Sequence, residues 1–431
     1  MKRSTTAGTV QSYVENFANY VTGRLQITDT YLVFDRYYQH STKETTRTSR
    51  AGKDASRRHQ LSMATPLPPQ KVCLTVTHNK IQLISLICDY LVEHPNIIPP
   101  GRTLLVTGAK PTPLEISGGG VTERMQLKTT HEEADVIVVQ QAIRLASFGK
   151  QSIHIVADDT DIFTLLLHYF KAQNLTCNLL MIATSPSRTS VDIKATAEKH
   201  PDIIDNILAA HVLSGCDTVS SLWGVGKAKI IKVLKTGKKL ETLGQIEAPL
   251  DDVIAECTSF IACCYGEPKE TDMTSLQYKV WLNKMSNQKL NAAPKLMVLP
   301  PTRESFQEHV KRAHLQAATW RSALASEPPA LNAVHYGWSM KTGSNILEPV
   351  GLPPDVSPAP VDVLKMIKCG CASSHPCSSA RCSCSSARLS CSEFCACRGN
   401  EDCRNVDTMN ASNAEDDQQD LNEDDHLAPL D

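Results

Sequence analysis

The sequence predicts an α/β protein built on a parallel sheet with helices on both faces, followed by a small metal-dependent module. Three observations carry this expectation. Short strand-like runs alternate with helical stretches through the first 240 residues. Acidic residues gather at the ends of those runs. Nine of the 16 cysteines lie between Cys369 and Cys403.

The elements follow in order. Val10, Tyr13, Val14, Phe17 and Val21 recur at helical spacing within residues 8–21. TYLVFD (30–35) reads as a strand, whereas 36–70 is basic, polar and finally proline-rich, and reads as loop or loosely helical. NKIQLISLICDYLVEH (79–94) is an amphipathic helix, RTLLVTG (102–108) a strand, and EISGGGVTER (115–124) a glycine-marked loop. A helix from Glu132 to about Ala146 leads into the strand SIHIVA (152–157). Another helix starts near Ile162, and CNLLMIA (177–183) is a strand. Residues 202–214 and much of 246–340 read as helical.

This pattern divides the chain into a first domain (1–245), a helical extension (246–342), a linker marked by Pro353, Pro354, Pro358 and Pro360 (343–368), a cysteine module (369–405) and an acidic tail expected to be disordered (406–431). No tandem repeat is visible.

Total charge predicts no partner, since 44 Lys and Arg face 46 Asp and Glu. Local charge is more telling. Residues 36–58 hold seven basic residues and two acids, 227–239 hold six lysines and no acid, and 406–431 hold nine acids and no Lys or Arg. Such blocks suggest a phosphate-facing surface beside an acidic tail. The N-terminal stretch is no signal peptide, because it lacks a continuous apolar run. No window approaches the ~18 apolar residues of a membrane span. The expectation is a soluble, intracellular chain.

The carboxylates fall where an open parallel sheet places its active site, beyond the carboxyl ends of the strands. Asp158, Asp159 and Asp161 follow the strand 152–157, and Asp35 ends the strand 30–35. Glu133 and Asp135 open a helix, and Asp217 follows another. Converging carboxylates repel unless a positive charge sits between them, and hard oxygen ligands suit Mg²⁺ or Mn²⁺. Ordinary helix capping is the competing reading for each acid taken singly.

GCDTVSSLWGVGKAKIIKVLK (215–235) adds a second signal. Glycines allow close approach of backbone to phosphate, and lysines attract it. A tight turn with a solvated lysine face is the alternative. The isolated histidines His131, His154, His168 and His211 read as satisfied or surface residues, Cys216 as packing, and Trp281, Trp320 and Trp338 as core anchors.

Taken together, VFDRYYQHS, EEAD, DDTD and GCDT…GVGKAK resemble the ordered motifs of PIN-like nucleases of the flap-endonuclease group, over about residues 25–240. The resemblance implies two divalent ions held by Glu133, Asp135, Asp159, Asp161 and Asp217, with Asp35 ending an earlier strand. It implies an arch-like role for the basic stretch after Asp35. It also implies a helix-two-turn-helix hairpin in which Gly224, Gly226, Lys227 and Lys229 contact nucleic acid. One departure stands out. The family's first strand carries a further ligand Asp, and nothing before Thr30 reads as a strand ending in Asp, so a fragment of a longer product or a diverged domain is expected.

The cysteine segment has the spacing C-x-C-x5-C-x4-C-x-C-x6-C-x3-C-x-C-x5-C, formed by Cys369, Cys371, Cys377, Cys382, Cys384, Cys391, Cys395, Cys397 and Cys403. Dense soft thiolates in an intracellular chain select Zn²⁺. Nine thiolates complete three tetrahedral zincs when three sulfurs bridge. Few apolar residues are present, so metal must supply the folding energy. A disulfide knot is the competing reading. The spacing resembles the tesmin-type CXC domain, which implies DNA binding through basic residues such as Arg381; a purely structural zinc module is the alternative. The pairing of the two domains resembles a family of animal proteins of mobile-element origin. The expected function is therefore Mg²⁺- or Mn²⁺-dependent cleavage of DNA, with RNA an open alternative substrate, in the nucleus and with no membrane partner. Its rival is a catalytically degenerate DNA-binding or chromatin protein.

Overall fold

The computed structural model describes residues 8–405, apart from 186, 287–295, 345 and short stretches of the cysteine-rich segment (361–362, 365–366, 379–380, 387–388, 392–394 and 400–401). The acidic tail (406–431) lies outside the described residues. The chain forms two compact units, one of residues 1–280 with 300–356, the other of 281–299 with 357–431.

In the first unit, α1 (Val10–Leu25) is capped by Thr9, whose hydroxyl accepts the Ser12 amide. Its buried stripe of Val10, Val14, Ala18, Val21 and Leu25 follows the helical period. That stripe packs with Leu83, Ile87 and Leu91 of α4 (Thr77–Glu93), Leu104 and Val106 of β2 (Leu104–Thr107) and Ile116 of β3 (Leu114–Ser117) in one core. β1 (Thr30–Val33) pairs in parallel with β2, β3 pairs antiparallel with β2, and β4 (Gly120–Glu123) pairs antiparallel with β3. β5 (Ser152–Val156) pairs in parallel with β6 (Asn178–Ile182), and the short β7 (Val191–Asp192) runs antiparallel to β6.

Two small mixed sheets therefore stand where one parallel sheet was expected among the described residues. β1 and β5, the strands followed by the acids, are each the end strand of their own sheet. β5 has the alternating burial of a strand covered on one face only. The first described element is α1.

A segment read as a loop is a hairpin, and the stretch read as loop or loosely helical contains a helix. EISGGGVTER forms the β3–β4 hairpin, where Ser117 faces Gly120 across the turn and Gly120 adopts a φ of 123° that only glycine takes freely. The basic stretch contains α2 (Glu44–Ala51).

Helices complete the unit. α5 (Ala134–Ser147) packs on both β1 and β5. α6 (Thr160–Ala172), α8 (Ile204–Ser214) and α12 (Arg303–Arg321) pack in sequence, α6 on α8 and α8 on α12. α8 is buried along most of its length, its buried residues including Asn206, His211 and Ser214 as well as apolar ones. α9 (Lys227–Lys235) and α10 (Leu250–Cys264) also join this layer. A hairpin of β8 (Trp338–Met340) and β9 (Leu347–Pro349) crosses the expected boundary between helical extension and linker. No described helix is long and apolar enough to cross a membrane.

Candidate metal centres

The expected acids converge on one side chain, and it is a lysine. Lys43 Nζ lies 3.4 Å from Glu133 Oε2, 3.8 Å from Asp135 Oδ2 and 3.7 Å from Asp217 Oδ2. The side chains of Lys43 and Glu133 are each only 10% exposed. Burial alone would disfavour the ammonium, but Glu133, Asp135, Asp217 and Asp35 outweigh it and raise its pKa above the ordinary lysine value. Arg50 grips Asp217 from outside in a two-point contact of 2.5 and 3.2 Å. Neither cation had been assigned to this cluster from the sequence; the signal was the excess of base in residues 36–58.

Each acid has a distinct tether. Asp35 Oδ1 accepts the Ala134 amide at 3.0 Å, so it caps α5 from the end of a distant strand. Its other oxygen is 3.2 Å from Lys80 Nζ. Burial pushes Asp35 up, yet Lys80, the Ala134 amide and Lys43 together hold its pKa below the ordinary carboxylate value. Glu133 occupies the N-cap position of α5 without capping it. Its carboxylate instead accepts Trp320 Nε1 at 3.0 Å and Gln316 Nε2 at 3.2 Å, both from α12. Gln316 Oε1 in turn accepts Thr218 Oγ1 at 2.7 Å, beside Asp217. The helical extension thus braces Glu133 directly and holds Thr218, the neighbour of Asp217, which sequence spacing does not reveal.

Asp159 does cap α6, accepting the Asp161 amide at 2.8 Å. Burial, with Asp161 and Asp217, raises its pKa. Asp161 Oδ1 lies 2.7 Å from His211 Nε2. Burial pushes Asp161 up, but His211 outweighs it and the carboxyl stays ionised below its usual range. Burial holds His211 neutral, so Nε2 carries the proton and donates it to the carboxylate. Burial raises Asp135 to about 8, with Glu133, Asp159 and Asp35 adding to the effect and Lys43 opposing it. Asp158 turns away and accepts the Thr184 amide at 3.2 Å. Glu132 likewise leaves the cluster for Ser41 and Arg47, each at 2.7 Å.

The acids offer the hard oxygen donors that divalent cations take, but the Lys43 ammonium occupies the space among Glu133, Asp135 and Asp217. The sets of three or more ligand atoms that come within 4.8 Å of one another among the described residues consist of cysteines.

The hairpin residues lie next to this cluster. Lys227 exposes its stem, but its ammonium donates to the carbonyls of His211 (3.0 Å) and Gly215 (2.7 Å) and to Ser214 Oγ (2.9 Å) at the end of α8. Burial of the ammonium lowers its pKa to about 8. Lys229 Nζ donates to the Gly224 carbonyl at 3.0 Å and lies 5.6 Å from the centre of the Tyr265 ring. Gly224 takes a φ of 70°, and Gly226 precedes α9.

In the second unit the sulfurs themselves form the core. Cys369, Cys377, Cys382, Cys384, Cys395, Cys397 and Cys403 are buried together, with Cys371 and Cys391 partly buried against them. All 16 cysteines are free in this structure. Sulfur–sulfur separations are 3.5 Å for Cys377–Cys391 and Cys384–Cys395, 3.6 Å for Cys369–Cys377 and 3.7 Å for Cys369–Cys397. A tetrahedron with Zn–S bonds of about 2.3 Å has edges of roughly 3.8 Å. The cluster could therefore hold zinc. Cys369 and Cys391 each lie within reach of three of the four cysteine groupings that could hold an ion, so they are the most central sulfurs. Asn405 Nδ2 donates to Cys391 Sγ at 3.2 Å and to the Leu389 carbonyl at 2.8 Å, orienting that thiolate. Arg381 is exposed.

No protein-family model matches this chain, and no curated protein matches it.

Proposed function

We propose that the first unit is a PIN-like, flap-endonuclease-like domain that hydrolyses phosphodiester bonds of DNA with Mg²⁺ or Mn²⁺. The second unit, in this reading, is a CXC-type module whose nine cysteines hold three zincs and aid binding to DNA or chromatin. The observation that carries the proposal is the gathering of acids from separate elements around one buried cation. Glu133 and Asp135 come from α5, Asp217 from the segment after α8, and Asp35 from the end of β1, all with electrostatic influence on Lys43. Capping accounts for Asp159, and remotely for Asp35, but not for Glu133, Asp135 or Asp217.

Bound there, divalent ions would supply an activated water and charge stabilisation at the leaving oxygen. The chain's own residues have separate tasks. Trp320 and Gln316 orient Glu133, and His211 orients Asp161. Arg50, 61% exposed and paired with Asp217, is the cation this reading assigns to an incoming phosphate. Lys43 keeps the acids together before metal arrives.

A second reading rests on that same lysine. Its ammonium lies among Glu133, Asp135 and Asp217, so the cluster is a self-contained charge network in a binding protein without catalysis. Incubating the full chain with labelled branched and single-stranded DNA and Mn²⁺ separates the two. Cleavage that Asp159→Ala/Asp161→Ala abolishes supports the nuclease; intact DNA with retained binding supports the network reading.

A further inference from the structure

We infer that Trp223 is a stacking platform for an unpaired base, so that the favoured ligand of the hairpin face is single-stranded rather than blunt duplex nucleic acid. This rests on the nucleic-acid reading above and narrows its substrate class. Of the four tryptophans, Trp281, Trp320 and Trp338 are 8%, 1% and 2% exposed, whereas Trp223 is 47% exposed.

The loop holding Trp223 is fixed rather than free. Tyr265 Oη donates to the Trp223 carbonyl at 2.8 Å, Lys229 Nζ donates to the Gly224 carbonyl at 3.0 Å, and the Val225 amide closes a turn onto the Leu222 carbonyl at 3.0 Å. Val225, 2% exposed, anchors the loop from beneath. A pre-set aromatic face loses little entropy when a base stacks on it.

Charge complements the ring. Lys229, Lys232 and Lys235 are exposed along α9 immediately after the loop. Lys232 and Lys235 carry no ion pair among the described residues, and 227–239 contains no acid. An exposed aromatic face on the loop that leads into a lysine-rich helix matches the base and phosphate of an unstacked nucleotide, whereas a paired base hides its face in the duplex.

The test measures binding by the full, zinc-loaded chain without added Mg²⁺ or Mn²⁺, so it is independent of cleavage. Oligothymidylate and oligouridylate of about 20 residues are compared with a blunt DNA duplex of the same length. Expected are quenching of tryptophan emission by a single strand, about tenfold weaker single-strand binding in Trp223→Ala, retention in Trp223→Phe, and little change on duplex. Lys232→Gln/Lys235→Gln should flatten the salt dependence for all three ligands. Unchanged single-strand affinity in Trp223→Ala, or equal loss on duplex, would overturn the inference. Cleavage with no Trp223 effect would leave the nuclease reading standing without it.

Discussion

Lys43 Nζ sits 3.4 Å from Glu133 Oε2, although the two residues are 90 positions apart and reach each other from α2's N-cap and α5's N-cap. Two helix starts thus share one ion pair, one offering a cation and the other an acid. The pair is the centre of the candidate site, and its dependence on surrounding charge gives the first prediction.

Lys43→Met removes the buried counter-charge. The metal-free variant should lose about 3–5 kcal/mol of stability, since uncompensated buried acids remain. If the cluster takes divalent cations, Mn²⁺ should raise the melting temperature of this variant more than that of the native chain, with zinc held constant. Thermal melts with and without Mn²⁺ check this; an equal or smaller shift in the variant would count against metal binding at the cluster.

Trp320 and Glu133 should be energetically coupled. Trp320→Phe keeps most of the ring volume but deletes the indole donor, and Glu133→Gln removes the accepting charge. A double-mutant cycle by urea unfolding should give a coupling of about 1 kcal/mol or more. Strict additivity would mean that α12 does not brace the acid.

How much of this was legible beforehand can be read from particular residues. The apolar periodicity of Val10–Leu25 and the alternation of Ser152–Val156 reveal elements because helix and strand periods are local properties. The acids were legible as a set because strand ends locate a site. Lys43, Arg50, Gln316 and Trp320 were not assigned to it, because their partners are contributed by packing across 90 to 187 positions. The β3–β4 hairpin was read as a loop because Gly118, Gly119 and Gly120 signal a turn more strongly than the short flanks signal strands.

Acid should weaken the first unit before carboxylates titrate fully. Burial lowers His168 and His309 to about 4 from a model-peptide value of 6.5. The unfolded chain therefore takes up protons below about pH 6.5 that the folded chain refuses until about pH 4. Stability is fully present above that window and falls through it by roughly 1.4 kcal/mol per pH unit for each imidazole. Urea unfolding at pH 6.5 and 5.0 tests this, and His309→Gln should flatten the slope. An unaltered slope would assign the acid sensitivity elsewhere.

Zinc content should depend unequally on the cysteines. Cys391 recurs in three candidate ligand sets and Cys371 in one. Elemental analysis should find three zincs in the full chain, at most one lost in Cys371→Ser, and more than one lost in Cys391→Ser. Equal losses would contradict a bridged cluster.

The most direct test of the central claim is Mn²⁺ binding to the zinc-loaded full chain, followed by calorimetry or by electron paramagnetic resonance. The account predicts two Mn²⁺ per chain, lost in Asp135→Asn/Asp217→Asn while the zinc content is unchanged. Absence of Mn²⁺ uptake by the native chain, or uptake that the double variant keeps, would contradict it and leave the acids as a network held by Lys43.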